Sequence, residues 1–154
     1  MIMNIWPLNF RLDKKEILDI ENKSFEFPYE EDDFMDAFRF GRASGGIYRQ
    51  DKKINGFIIY EFRRKSVYLW NLAVHPDHRR QGIGASLVNK LVRNASSLRD
   101  RIIIEIRETN LPAQLFLRKQ GFKATKILKN FYDETPEDAY KMELKLNYKK
   151  YFHK

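Results

Sequence analysis

Apolar and polar residues follow two different rhythms along this chain, and the switches between them mark out its elements. Residues 3–10 form an extended, partly apolar run that predicts a short strand. Asp13 and Glu16 are spaced as in a capping box, and Ile17, Leu18 and Ile20 follow as the apolar face of a first helix. Residues 25–29 break that periodicity, because a proline pushes its predecessor out of helical backbone. Phe34, Met35 and Phe38 predict the buried side of a second, short helix. Gly41, Gly45 and Gly46 punctuate a turn region. Residues 47–50 and 56–62 then read as antiparallel strands joined by 51–55, and 67–74 as a central strand.

After Gly84, the positions Leu87, Val88, Leu91, Val92 and Ala95 keep helical spacing and predict a long amphipathic helix. Residues 101–107 (RIIIEIR) form the most apolar strand, fenced by a charge at each end. Asn110 is placed to cap a further helix, with Pro112 in its first turn and Gly121 at its end. Residues 122–130 and 140–146 predict two last strands around the acidic loop 133–138. This alternation implies a mixed α/β sheet with helices on both faces, in one domain over residues 1–154.

Composition narrows the function classes. Without cysteine there is no disulfide, no thiolate metal site and no cysteine nucleophile, and three histidines (His75, His78, His153) make a poor zinc set, so no metal is expected. No apolar run reaches bilayer length, and residues 1–15 do not read as a signal peptide; a cytoplasmic protein without a membrane role is the expectation. The net charge of +8 suits anionic partners, part of it in a basic tail over 147–154. No nucleic-acid recognition motif accompanies that charge, so nucleic acid is not an expected partner.

The most specific chemistry lies in Arg79-Arg80-Gln81-Gly82-Ile83-Gly84, between an apolar strand and an amphipathic helix. The first amides of a helix lack intrahelical partners and carry a positive dipole end, which suits a phosphate. Glycines keep side chains out of the way, and the two arginines add attraction. The loop lacks the third glycine of a dinucleotide fingerprint and the Gly-Lys-Ser/Thr of a nucleotide triphosphatase.

The stretch from Asn71 to Gly84, NLAVHPDHRRQGIG, resembles the acetyl-coenzyme A motif of the GNAT superfamily. That resemblance implies a GNAT fold, with a mostly antiparallel sheet splayed at the cofactor strand. It implies acetyl-CoA contacts by the backbone of Leu72, Ala73 and Val74, by Arg79, Arg80, Gln81, Gly82, Ile83, Gly84 and Ala85, and by Asn110. Residues 104–110 (IEIRETN), Ala113 and residues 120–122 resemble the RimI-like ribosomal-protein alanine acetyltransferases and related amino-terminal acetyltransferases. Phe27, Pro28, Tyr29 and Phe34 are similar to their substrate loop, and residues 130–132 to their Asn-Tyr-Tyr segment. The expected activity is transfer of acetyl from acetyl-CoA to the amino-terminal α-amine of a protein or peptide, with Phe27, Pro28, Tyr29 and Tyr132 lining the peptide entrance.

Direct attack of an amine on a thioester needs a proton acceptor and a proton source for the leaving thiolate. Glu105 is the candidate acceptor: it interrupts an isoleucine-rich strand, where a lone carboxylate is costly without a purpose or partner. The family places a tyrosine seven residues after the asparagine, where this chain has Leu117; Tyr132 is the candidate donor in its place, with Tyr29 and His78 behind it. His75, before a proline, reads as structural. Two other readings stand beside this one: acetylation of a small amine (a polyamine or an aminoglycoside) drawn by the acidic stretches 30–33 and 133–138, and a non-catalytic CoA-binding module suggested by Leu117. A homo-oligomer, the preferred substrate residues and the role of the tail are left open by the sequence.

Overall fold

The computed structural model describes residues 4–95 and 98–146; the basic tail and Met3 lie outside them. In chain order the elements are β1 (Ile5–Pro7), α1 (Phe10–Ser24), α2 (Glu31–Phe38), β2 (Ser44–Gln50), β3 (Lys53–Phe62), β4 (Ser66–Val74), α3 (Ile83–Asn94), β5 (Arg101–Arg107), α4 (Leu111–Lys119), β6 (Lys123–Leu128) and β7 (Ala139–Lys145). The chain is a mixed α/β fold with seven mostly antiparallel strands. Its contacts divide it into two compact units. One holds the chain up to Phe62 together with Leu69–Asn94; the other holds Arg63–Tyr68 and the chain from Ala95 on.

In the first unit the strands run β1-β2-β3-β4. The apolar stripes of α1 and α2 bury Ile17, Ile20 and Phe34 against Phe57 and Ile59 of β3 and Ala73 of β4. Phe34 meets the Phe10 ring at 5.4 Å and the Phe57 ring at 6.2 Å, so one aromatic stack ties both helices to the sheet. Removing a fully buried side chain of this kind costs about 3–5 kcal/mol for Phe→Ala. In the second unit the order is β4-β5-β7-β6. Here β4 and β5 pair in parallel through Ser66–Arg101, Val67–Ile102 and Tyr68–Ile103, while β5–β7 and β6–β7 are antiparallel. Ile102, Ile103 and Ile104 of β5 are buried with Leu117, Phe122 and Met142.

Several sequence expectations are shifted. The strand at 3–10 is confined to Ile5–Pro7, because Asn9 takes the cap: its Oδ1 accepts from the Leu12 N–H at 3.4 Å, and Asp13 Oδ2 accepts from the Asn9 N–H at 2.9 Å. The reciprocal pair therefore starts the helix four residues earlier than the Asp13–Glu16 spacing suggests. Met35 is 49 % exposed, because Phe34 and Ala37 supply the buried face of α2. Gly45 and Gly46 are strand residues of β2. The hairpin needs only Asp51 and Lys52, both with positive φ (52° and 66°), the backbone of a type I′ turn that neither residue type advertises. The helix α3 begins at Ile83 and so includes Gly84.

Candidate active site

In the first unit, β4 leads into the loop expected to hold a phosphate. Along β4 the buried positions are Leu69, Asn71 and Ala73, alternating with half-buried Trp70, Leu72 and Val74. A short 3-10 turn at Pro76–His78 follows, capped by His75, whose Nδ1 accepts from the Asp77 N–H at 3.1 Å. His75 is thus structural, and its own N–H donates to the Asn55 carbonyl at 2.7 Å. Arg79 folds back, its Nε donating to the Val74 carbonyl at 3.1 Å. Arg80 (φ 62°) and Gly82 (φ 80°) both take left-handed backbone, and a Cβ built at Gly82 meets nothing within 4 Å. That glycine is required by conformation, and the space beside it is open to a ligand. Ile83 seats the helix start on β3: a Cβ at Gly56 would come within 2.9 Å of its Cγ2, so glycine there lets the helix approach. Ser86 closes the first turn by donating its N–H and Oγ–H to the Gly82 carbonyl, at 3.0 and 2.9 Å.

The same unit carries the aromatic loop. Phe27 and Tyr29 are 37 % and 41 % exposed, so they are surface aromatics rather than core. Tyr29 packs edge-on against Phe34 at 5.8 Å. Its backbone N–H donates to Glu21 Oε1 at 3.0 Å, and Glu21 Oε2 accepts from Asn71 Nδ2 at 2.5 Å. Glu21 is 2 % exposed, and burial raises its pKa to about 7 against the opposing pull of the Tyr29 N–H and the Asn71 amide. Asn71 Oδ1 in turn accepts from the Leu72 N–H at 2.9 Å. A cavity of about 200 Å³ lined by Tyr29, Asp33, Ile59, Trp70 and Asn71 adjoins this chain of hydrogen bonds. Sequence reasoning missed Glu21. The signal was available, since it is an acidic residue directly after the buried Ile20.

In the second unit, Glu105 is half-buried on β5 and is not alone: the Tyr68 hydroxyl of β4 donates to its Oε2. The expected isolated carboxylate is therefore a carboxylate–phenol pair, which keeps a charged acceptor hydrogen-bonded without full burial. The Tyr68 ring also carries the Arg63 guanidinium at 4.2 Å. Two residues along, Arg107 shares a face of β5 with Glu105. Its guanidinium covers the Tyr132 ring at 3.7 Å, donates to Thr135 Oγ1 at 3.0 Å, and pairs with Glu134 and, at 3.6 Å, with Glu137. Arg107 is thus the anchor of the loop between β6 and β7, and the sequence offered only its charge. Asp138 accepts from the Asn130 N–H at 2.9 Å and from Lys129 at 3.1 Å, which together hold its carboxyl below the usual range. Asn110 does cap α4, its Oδ1 accepting from the Ala113 N–H at 3.3 Å. Leu117 is 2 % exposed, a core residue and not a member of any site.

Each unit thus gathers part of the predicted set: the β4–α3 loop and residues 27–29 in the first, Glu105, Asn110 and Tyr132 in the second. Among the described residues no cluster of histidine and acidic side chains is arranged to hold a metal, and no helix is long and apolar enough to cross a membrane.

Comparison with known proteins bears on this geometry. The profile of the acetyltransferase (GNAT) family matches residues 14–122. The ribosomal protein bS18-alanine N-acetyltransferase of Escherichia coli K12 is 29 % identical over 131 residues, covering 83 % of this chain and 88 % of its own. The crystal structure of the E. coli ribosomal-protein-S18-alanine N-acetyltransferase superposes with a TM-score of 0.80 at 28 % identity, covering 93 % of each chain. Arabidopsis thaliana NAA60 in complex with acetyl-CoA shares the fold, with a TM-score of 0.78 at 20 % identity over 93 % of this chain and 98 % of its own. With a family profile spanning most of its length and relatives that match it nearly end to end, this chain belongs to the GNAT acetyltransferase family.

Proposed function

We propose that this chain transfers acetyl from acetyl-CoA to the amino-terminal α-amine of a protein. The observation that carries this reading is the Tyr68–Glu105 hydrogen bond between adjacent strands, in a chain whose β4–α3 loop has the backbone of a phosphate cradle. The E. coli relative that acts on ribosomal protein bS18 alanine supports the choice of amine.

The residues fit acetyl-CoA: left-handed backbone at Gly82 beside open space and the N-terminus of a twelve-residue helix suit its pyrophosphate. Loop residues from Arg79 to Ala85 would hold that group, the edge of β4 at Leu72, Ala73 and Val74 the pantetheine arm, and Asn110 its amide. When bound, acetyl-CoA supplies an acetyl thioester as electrophile. Phe27, Pro28 and Tyr29 of the first unit would contact the peptide, as would Tyr132 of the second. Glu105, its carboxylate oriented by Tyr68, takes the proton the attacking amine gives up as the C–N bond forms. Breaking of the thioester C–S bond would leave a thiolate, to which the Tyr132 hydroxyl would return a proton.

The small-amine reading draws less support from the acidic stretches, since Glu134 and Glu137 pair with Arg107 and Asp138 with Lys129. A coenzyme A release assay tests the proposal with alanine-initiated peptides, spermidine and free lysine in parallel. Turnover confined to peptides with free amino termini is expected. Faster turnover of spermidine, or acetyl found only on lysine side chains, overturns it.

A further inference from the structure

We propose that Glu21, acting through Asn71, is a proton-linked positioning residue that decides whether the Leu72 N–H is held inside the chain or presented to the cofactor. The inference rests on the reading above, in which the amides of β4 take the pantetheine arm. Its geometry is a single file of hydrogen bonds: Tyr29 N–H to Glu21 Oε1 (3.0 Å), Asn71 Nδ2 to Glu21 Oε2 (2.5 Å), and Leu72 N–H to Asn71 Oδ1 (2.9 Å).

Donor and acceptor counting supplies the switch. As a carboxylate, Glu21 only accepts, so it satisfies both donors that face it. The Asn71 amide is then oriented with Nδ2 toward Glu21 and Oδ1 toward the Leu72 N–H. When Glu21 takes a proton from solvent, one of its oxygens becomes a donor and confronts the Asn71 NH2, also a donor. Both groups are buried, where an unmatched donor is costly. Turning the Asn71 amide over relieves the clash, because Oδ1 then accepts from the carboxylic acid while the Tyr29 N–H keeps the other oxygen. The turned amide offers NH2 to the Leu72 N–H, which must seek its acceptor elsewhere.

The surroundings allow this proton to move in the working range. Burial is the main influence on the Glu21 carboxyl, and it places the pKa at about 7. The groups facing it are the Tyr29 N–H from the α1–α2 loop and the neutral Asn71 amide from β4. Around the adjoining cavity stand Asp33 and Asp36 of α2 and Arg42 before β2. Asp33 is engaged by the Glu30 N–H and Asp36 by Arg39 at 3.2 Å. On α1 itself, one and two turns back, Glu16 accepts from the Ile54 N–H at 2.8 Å and Asp13 pairs with Arg49 at 3.5 Å.

Two variants and two readouts test the proposal. Gln in E21Q donates permanently to Asn71 Oδ1, and N71A removes the acceptor, so both release the Leu72 N–H at every pH. In the wild type, the ¹⁵N NMR signals of the Leu72 amide and the Asn71 side chain are expected to titrate together near pH 7, and the Leu72 titration is expected to vanish in both variants. The affinity for acetyl-CoA, measured by calorimetry, should weaken about tenfold more between pH 6 and 8 in the wild type than in either variant, as binding draws on the protonated fraction alone. A Leu72 amide that stays still, or one that titrates unchanged in a folded E21Q or N71A, overturns the coupling, and so does an identical pH dependence of affinity in all three proteins. If the wild type binds no acetyl-CoA, the proposed function fails, and the NMR titration alone decides the coupling.

Discussion

The segment from β4 to α3 and the side-chain contacts made by β5 are built by opposite means. In the first, the features suited to a phosphate come from consecutive residues: a strand, a left-handed Arg80, a left-handed Gly82 and a helix start within ten positions of Val74. In the second, partners are far apart in the chain. Tyr68 and Glu105 are 37 residues apart, Arg107 and Thr135 are 28. One is a backbone device whose side chains matter little; the other is a side-chain device whose backbone is ordinary strand. A backbone device tolerates substitution except at glycine, whereas a side-chain device fails one residue at a time.

Substitutions can break that contrast. The largest effect is expected at Glu105. Glu105→Gln should lower kcat by about 10²–10⁴-fold, the usual worth of a positioned base, with acetyl-CoA affinity by calorimetry unchanged. Tyr68→Phe should lower it less, since the carboxylate stays in place and loses only the hydroxyl that orients it. Equal loss of affinity and rate at Glu105 would place it in cofactor binding and erase the distinction.

Stability against pH offers the next largest signal. Glu21 has a folded pKa near 7 against 4.5 in the open chain, so the folded state holds the proton more tightly. Stability from this group is complete below pH 4.5 and is lost as pH rises toward 7 and beyond, by about 3 kcal/mol in total. Urea unfolding from pH 4.5 to 8 should show this decline in the wild type, with E21Q flatter by that amount. A parallel decline in E21Q assigns the slope to other groups.

Arg107→Ala should cost about 1 kcal/mol in unfolding free energy, since its acceptors are exposed at Glu134 and half-buried at Thr135 and Glu137, and should raise the KM for peptide while leaving that for acetyl-CoA alone. Gly82→Ala makes a similarly small change to the fold, about 1 kcal/mol from its left-handed φ, and the reverse change in binding: weaker acetyl-CoA, unaltered peptide KM. Finding the two KM effects exchanged would mean the division of labour is drawn wrongly.

The same contrast explains what the sequence discloses. The residue bounds of β5 and the Asn110 cap were legible because each depends on a local pattern of isoleucines or a single capping side chain. The left-handed turn at Gly82 was legible because a glycine records such backbone directly, whereas the left-handed Arg80 and the helical Gly84 were not. Tyr68 was not, because a tyrosine in an apolar strand looks like any other strand aromatic until β5 is placed beside it. Glu21 and Arg107 were hidden for the same reason: their partners Asn71 and Glu134 lie 50 and 27 positions away. The Asp51-Lys52 turn was hidden for a different one, since neither residue carries the asparagine–glycine signature of its turn type.

The anchoring of the β6–β7 loop bears on how such a protein acquires new customers. Arg107, Thr109 and Glu108 grip the loop from the β5 side through Glu134, Glu137 and the Asp138 N–H, and the Asp138 carboxylate accepts from Lys129. The tips at Phe131 and Asp133 are exposed and lie outside that grip. The loop is therefore a cassette with fixed sockets, Tyr132 under Arg107 among them, and an exchangeable face at positions 131 and 133 that can vary without renegotiating the fold.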